Sequence, residues 1–201
     1  VPFGDTTATV LAERFGVARI VFTGVAGGVG DGVQVGDVVV AQDYVQHDMD
    51  ASPLFPRHEV PLYGRAHFEA DADLSAQLAA ASQQVLAHAG QHLGAGTLAE
   101  FALSAPRVHQ GLVISGDRFV STSAESHALR QALPEALAVE MEGAAVAQVC
   151  HDYGVPFAAV RTISDRADDT AHTDFRRFIR EVASRYSLAI LSQWLSQRAP
   201  D

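Results

Sequence analysis

Two carboxylates separated by one residue interrupt an apolar run in the segment ALAVEMEGAAVAQVC, residues 136–150. If the segment is extended, Glu140 and Glu142 lie on the same face, because side chains two apart in a strand point the same way. Both could cap the helix that the Ala-rich pattern predicts next, since a helix N-terminus favours negative charge. A glutamate beside a pocket could instead accept two hydrogen bonds from a vicinal diol, as in a ribose. The residues leave both interpretations open.

A third carboxylate, Asp165, follows the apolar stretch AAVRTI and the hydroxyl group of Ser164. In the sequence SDRADD it could be an ordinary cap or turn residue. At the rim of a buried strand, however, a carboxyl group that burial keeps protonated could donate a proton to a leaving group. Asp165 is therefore a candidate acid.

Polar or glycine-rich residues follow four apolar stretches, namely TGVAGG (residues 23–28), SGD (115–117), EME (140–142) and SD (164–165). Ligands of open α/β sheets bind beyond the carboxyl ends of the strands, so parallel strands would bring these four segments together. TGVAGG is typical of a tight turn or of a loop that lets a ligand approach the backbone. It lacks the Lys-Ser/Thr ending of a phosphate loop, and no acid for a dinucleotide ribose follows about twenty residues later.

The apolar periodicity predicts helices that separate short apolar strands. Strands are expected at residues 18–24, 36–46, 107–115, 136–141 and 156–163, and helices at 6–15, 71–92, 123–133, 143–152 and 174–197. The aromatic and proline-containing residues 47–68 are typical of a long ordered loop or lid. This alternation predicts one α/β domain over residues 1–201, with a mostly parallel sheet between helices on both faces.

Composition excludes several classes of partner. A net charge of −10 opposes binding to nucleic acid or to an anionic membrane surface. The single Cys150 fits a reducing compartment, and without a signal or transmembrane pattern the sequence predicts a cytoplasmic protein. His47, Asp48 and Asp50 come nearest to a metal-ligand cluster, but no HExxH or paired-Cys spacing occurs, and GxSxG is absent. These patterns do not predict a metal site.

Five segments resemble motifs of the methylthioadenosine/S-adenosylhomocysteine nucleosidases, within the purine nucleoside phosphorylase superfamily. They are TGVAGG (residues 23–28), GLVISGDRFV (111–120), AVEMEGAAVAQVC (138–150), VPFAAVRTISDRAD (155–168) and FRRF (175–178). The resemblance runs from about residue 10 to the C-terminus. It implies a three-layer α/β/α fold with a mixed, mostly parallel sheet, and a homodimer. It also implies hydrolysis of the bond between adenine and a 5′-thio-substituted ribose, without cofactor or metal.

The resemblance implies a role for each matching residue. Asp165 would protonate the purine at N7, and Ser164 would help to hold that carboxyl group. Glu142 would bind the ribose hydroxyl groups, with Met141 packed against the sugar. Protonation of the leaving group on one side and attack by water on the other suit an oxocarbenium-like transition state.

The remaining matching residues would surround the nucleoside. Phe119 and the backbone of Val120 would hold the purine, and Phe175 would close over it. Ala26 and Gly27 would lie near the ribose and the attacking water.

The chain departs from the family at several places. The family opens with a strand and a Gly-rich turn whose glutamate activates the water, and the 201 residues contain no such segment, so the first strand is expected to be missing. Val25 stands where many relatives have serine. In the lid, Leu54, Phe55 and Pro61 are candidate contacts for a thioalkyl group.

Three alternatives therefore stay open. A phosphorylase would need basic residues near TGVAGG, for which Arg19, Arg118 and Arg161 are the candidates. A futalosine hydrolase would share the fold and chemistry but release hypoxanthine. If the water-activating glutamate is truly absent, the chain would be an inactive nucleoside-binding protein.

Overall fold

Six strands and eight α-helices are present in residues 2–167 and 175–197, the part of the chain described by the structure, which is a computed structural model. The strands are β1 (Ile20–Gly28), β2 (Val38–Gln46), β3 (His67–Glu69), β4 (Val108–Ser115), β5 (Ala136–Glu140) and β6 (Phe157–Asp165). The helices are α1 (Pro2–Phe15), α2 (Ala72–Ala87), α3 (Ala89–Leu93), α4 (Ala95–Glu100), α5 (Ser123–Ala132), α6 (Gly143–Tyr153), α7 (Phe175–Phe178) and α8 (Ser184–Ser196). A π-helical segment, Ile179–Ala183, joins α7 to α8.

The sheet is mixed and closes on itself. Its order is β3-β2-β4-β5-β1-β6, and β2 also pairs with β6, so five strands form a ring with β3 at its outer edge. The parallel pairs are β1–β6, β2–β4 and β4–β5, while β1–β5, β2–β3 and β2–β6 are antiparallel. The prediction of an α/β fold with a mixed sheet is confirmed, whereas the closure was not predicted.

Two groups of helices cover the apolar residues of the sheet. One core cluster joins β2 and β6 to α2 and α8 through residues such as Val40, Leu78 and Ile190. A second joins the sheet to α1 and α6, with Ala8, Val39 and Val146 among its members. Apolar burial of this kind is the main source of stability in a domain of this size. In the described residues, no helix has the length and apolar character needed to cross a membrane.

Local signals explain several helix ends. Asp71 caps α2, since its Oδ1 accepts a hydrogen bond from the backbone N–H of Leu74 at 2.8 Å. Thr122 caps α5 through the N–H of Glu125 at 3.2 Å. At the end of α6, Gly154 adopts φ 62°, the left-handed conformation that glycine accepts without steric cost.

The structure corrects the predicted boundaries of two strands. TGVAGG is not a turn: β1 continues through it to Gly28, and β6 continues to Asp165 rather than ending at Ile163. The two strands pair in parallel over this region, with Gly24 beside Arg161 and Gly27 beside Asp165. A Cβ atom on Gly27 would lie 2.9 Å from Asp165 Oδ1, so glycine permits the approach.

Other elements also differ from the prediction. The helix expected over residues 71–92 is divided at His88 into α2 and α3, and α4 was not predicted. Residues 67–69, at the end of the predicted lid, form β3 against β2 because that strand offers an open edge. The predicted start of the last helix, Asp174, lies outside the described residues, which resume at Phe175.

Candidate active site

One cavity of about 170 Å³ brings together the nine residues outside the lid for which the family resemblance implied a role in catalysis or binding. These are Ala26, Gly27, Phe119, Val120, Met141, Glu142, Ser164, Asp165 and Phe175. Val25, Arg118, Val139 and Glu140 complete the wall. The segments converge through strand pairing, because Gly27 lies beside Asp165 and Val139, and Ser115 lies beside Glu140.

Asp165, the last residue of β6, is held in a defined orientation with only 7% of its surface exposed. Ser164 Oγ donates a hydrogen bond to Oδ2 at 2.7 Å, and the backbone N–H of Ala167 donates to Oδ1 at 2.8 Å. Gly27 leaves room for this carboxyl group on the neighbouring strand. A carboxyl group fixed at the wall of a cavity in this way can meet a ligand atom without losing side-chain freedom on binding.

The carboxylate of Glu140, the last residue of β5, caps the N-terminus of α6. Its carboxylate accepts hydrogen bonds from the backbone N–H of Gly143, at 2.9 Å to Oε1 and 3.0 Å to Oε2, and from that of Glu142 at 3.2 Å. It also pairs with Arg161, whose Nη2 lies 2.5 Å from Oε2, and accepts a hydrogen bond from Ser115 Oγ. The cap interpretation that the sequence left open is therefore correct for Glu140.

Glu142 is the N-cap residue of α6, but its side chain makes no capping hydrogen bond. The half-buried carboxylate lines the cavity instead. Burial, and then the negative charge of Glu140, raise the pKa of Glu142, while Arg161 opposes the shift. Glu142 borders the space where a ligand would bind, and a carboxylate there can accept hydrogen bonds from a diol.

Two aromatic rings form the apolar part of the wall. Phe119 and Phe175 pack edge to face, with ring centroids 6.1 Å apart and an interplanar angle of 74°. Val120, next to Phe119, is buried. A planar heterocycle can stack on such a surface while carboxylates hold its polar substituents.

Some predicted contacts do not reach this cavity. Leu54, Phe55 and Pro61 are absent from its wall in the described residues, and 84% of the Leu54 surface is exposed. Asp48 accepts a hydrogen bond from the backbone N–H of Asp117 at 2.7 Å, so it holds the lid against the β4–α5 connection. Among the residues with described positions, no three His, Cys, Asp or Glu side chains are arranged to hold a metal ion.

The sequence interpretation missed the connection between Ser115, Glu140 and Arg161. The sequence indicates Arg161 only as a candidate phosphate ligand and Glu140 only as a possible helix cap. A signal was present, since an arginine in the middle of an apolar strand needs a buried partner of opposite charge. Which carboxylate it meets depends on strand order and could not be derived locally.

Comparison with known proteins is consistent with this geometry. Residues 2–195 match the model of the phosphorylase superfamily. The chain is 34% identical over 191 residues to the 5′-methylthioadenosine/S-adenosylhomocysteine nucleosidases of Mycobacterium bovis and Mycobacterium tuberculosis, covering 92% of this chain and 73% of each relative.

Two solved structures extend the comparison. The nucleosidase of Neisseria meningitidis, in complex with methylthio-immucillin-A, superposes with a TM-score of 0.79 at 31% identity, covering 97% of this chain and 76% of that one. The futalosine hydrolase of Helicobacter pylori superposes with a TM-score of 0.80 at 31% identity, covering 97% and 75%.

Proposed function

This chain belongs to the phosphorylase superfamily, and on that premise we propose that it hydrolyses the N-ribosidic bond of 5′-methylthioadenosine and S-adenosylhomocysteine. The products are adenine and the corresponding 5′-thio-substituted ribose. The observation that carries the proposal is the meeting of Asp165, Glu142 and the Phe119–Phe175 pair in one cavity. Proteins that resemble the chain in sequence and in structure are named as nucleosidases of these two compounds.

Each wall of the cavity has a proposed part in the reaction. Asp165, oriented by Ser164 and by the N–H of Ala167, donates a proton to N7 of the purine as the glycosidic bond breaks. The Glu142 carboxylate accepts hydrogen bonds from the ribose hydroxyl groups. Its negative charge stabilises the positive charge that develops on the sugar in the transition state. The base leaves as neutral adenine, water adds to the anomeric carbon and loses a proton to the solvent, and the solvent returns a proton to Asp165.

The remaining predicted residues complete the binding site. Phe119 and Phe175 hold the purine, with the backbone of Val120 at its edge. Met141 packs on the sugar, between the two glutamates in sequence. Ala26 and Gly27 border the ribose and the water, where their small side chains leave space.

The critical experiment is a turnover assay of these 201 residues with methylthioadenosine. Neither cavity glutamate matches the glutamate that the family uses to activate water, so turnover by these residues is the deciding measurement. Release of adenine, with a rate independent of added phosphate, is the expected result. Tight binding of adenosine analogues in a thermal-shift assay, with no base released over hours, would instead indicate an inactive nucleoside-binding protein.

A phosphorylase is less favoured because two of the three candidate arginines already have carboxylate partners. Arg161 pairs with Glu140, and Arg118 Nη2 lies 2.8 Å from Glu125 Oε1. A phosphate ion would have to compete with both. A rate that rises with phosphate concentration would contradict the hydrolase proposal.

A futalosine hydrolase is the second candidate, supported by the TM-score of 0.80 to the Helicobacter pylori enzyme. The two functions differ in the released base and in the group on the ribose 5′ carbon. Parallel assays with methylthioadenosine and futalosine, following adenine and hypoxanthine, distinguish them.

Several finer features belong to the same proposal. They are the three-layer arrangement with mostly parallel strands, a homodimer, a cytoplasmic location and a part in methionine salvage. Sedimentation of the purified chain tests the dimer, and growth on methylthioadenosine as the methionine source, in a strain that lacks its own nucleosidase, tests the salvage role.

A further inference from the structure

We propose that Glu140 is a positioning residue that directs Glu142 into the cavity, by capping α6 in place of the N-cap residue. The inference rests on the proposed function, because it assigns the task of ribose binding to Glu142. It also assigns different tasks to two acids that have the same residue type and are separated only by Met141.

The N-terminus of α6 receives its hydrogen-bond acceptors from neighbouring strands. The first N–H groups of a helix lack partners within it, and the side chain of the N-cap residue normally supplies one. Here the Glu140 carboxylate accepts from Glu142 and Gly143, and Ser115 Oγ accepts from Ala144 N–H at 2.8 Å. Strands β4 and β5 therefore supply acceptors for the N–H groups of Glu142, Gly143 and Ala144, and these three groups do not need the Glu142 side chain.

The capping carboxylate is itself fixed from two sides. Ser115 Oγ donates to Oε1, and the Arg161 guanidinium lies on Oε2. Both members of the ion pair are almost completely buried, at 6% exposure for Glu140 and 1% for Arg161. The other face of the guanidinium packs on Phe22, whose ring centroid lies 4.1 Å from Cζ. Glu140 therefore has little freedom to leave its position.

The neighbouring glycines show how closely this cluster is packed. A Cβ atom on Gly143 would lie 3.1 Å from Glu140 Oε1 and 3.1 Å from Tyr44 Cε1. A Cβ atom on Gly24 would lie 2.6 Å from Arg161 Nη1. Both positions accept only glycine without movement of the acid or the guanidinium.

The Glu142 carboxylate could accept hydrogen bonds either from the N–H groups of α6 or from the hydroxyl groups of a ribose. Without the Glu140 carboxylate, the N-cap side chain would be the nearest acceptor for the free N–H groups of α6, and it would turn toward the helix. A Glu142 carboxylate that caps its own helix cannot also accept two hydrogen bonds from a ribose. Glu140 thus preserves the ribose site without touching the substrate.

The test is the Glu140→Gln variant, which keeps the shape of the side chain but replaces an acceptor oxygen with an NH₂ donor. We expect the preference for an adenine ribonucleoside over its 2′-deoxy analogue to fall by roughly tenfold, as for loss of a hydrogen bond to a charged group. Glu142→Gln should produce the same loss, and the double variant little more, because the two residues act through one interaction. Preferences are measured as ratios of kcat/KM, or as ratios of Kd for adenosine and 2′-deoxyadenosine if turnover is absent.

A milder variant covers the case in which Glu140→Gln does not fold. Ser115→Ala removes one donor to Glu140 and the acceptor for Ala144, but it leaves the buried ion pair intact, so we expect a loss of roughly threefold. Ser75→Ala is the matched control, since this buried hydroxyl donates to the backbone of Ala41 at 3.2 Å and lies outside the cavity wall. It should leave the ratio unchanged.

Two results would overturn the inference. One is an unchanged ribose preference in Glu140→Gln or Ser115→Ala, even if the melting temperature falls. The other is full additivity of the Glu140→Gln and Glu142→Gln effects. Failure of the unsubstituted chain to bind any nucleoside would instead refute the proposed function itself, so the two failures are distinguishable.

Discussion

Two buried groups of acidic residues differ in how many of their carboxylates accept hydrogen bonds from the protein. At the start of β2, Asp37 accepts from the backbone N–H of Arg107 at 2.8 Å, from that of Gln34 at 2.9 Å and from His109 Nε2 at 2.8 Å. At the end of β5, Glu140 accepts the fixed donors while Glu142 makes no capping bond.

The cavities beside these clusters show that size does not indicate the site. The one that Asp37 borders measures about 630 Å³, against about 170 Å³ for the one that Glu142 and Asp165 border. Asp37 has its oxygens occupied by donors from the protein, so it holds the chain together and offers little to a ligand. Glu142 differs from Asp37 because Glu140 already accepts hydrogen bonds at the start of its helix and the Glu142 side chain makes no capping hydrogen bond.

Asp165→Asn should cause the largest change, because the amide keeps the shape of the side chain but cannot donate the proton. General acid catalysis contributes about 10²- to 10⁴-fold, and we expect a loss of kcat within that range. Adenine release is the measurement, with the melting temperature as the check on folding. Near-normal turnover would show that Asp165 is no more than a structural acid like Asp37.

Glu142→Gln should weaken the binding of ribonucleosides by roughly tenfold, as expected for the loss of a hydrogen bond to a charged group. Binding of 2′-deoxy analogues should change much less, since the lost interaction includes the 2′-hydroxyl. Calorimetric titration with matched pairs of nucleosides measures both. Equal losses for the two members of a pair would contradict ribose recognition by Glu142.

Asp37→Asn tests whether the hydrogen bonds of Asp37 contribute to stability and not to activity. The amide cannot accept all three donors, and we expect the free energy of unfolding to fall by about 2 kcal/mol. Denaturant titration measures that loss, and kcat per folded molecule should be unchanged. A large loss of kcat in fully folded protein would show that this cluster is not purely structural.

Lowering the pH should reduce the affinity for ribonucleosides, and this change should be smaller than those caused by the three substitutions. The binding form of Glu142 is the carboxylate, and burial together with Glu140 raises its pKa. As pH falls, the group therefore takes up its proton earlier than an ordinary glutamate, and affinity declines already in weak acid. Titrations at several pH values should show this decline for adenosine, and Glu142→Gln should remove it.

The sequence predicted the strand-helix alternation and the polar segments at the strand ends because both are local properties. Apolar periodicity located β2, β4, β5 and α6 nearly to the residue. It failed at TGVAGG, where glycines are typical of a turn, because the partner that makes this segment a strand lies more than a hundred residues away in β6. For the same reason, the sequence did not predict β3 or the closure of the sheet, since both depend on which strands pair.

The sequence by itself determined which residues could do chemistry here: three carboxylates and a pair of aromatic residues within recognisable segments. Only the tertiary structure decided how the acids divide the work, with Glu140 committed to Arg161, Ser115 and the N-terminus of α6, and Glu142 left to face the cavity. The physical reason is that a carboxylate is committed or available according to the donors around it. Those donors lie on neighbouring strands, and local sequence patterns do not predict the order or the register of the strands.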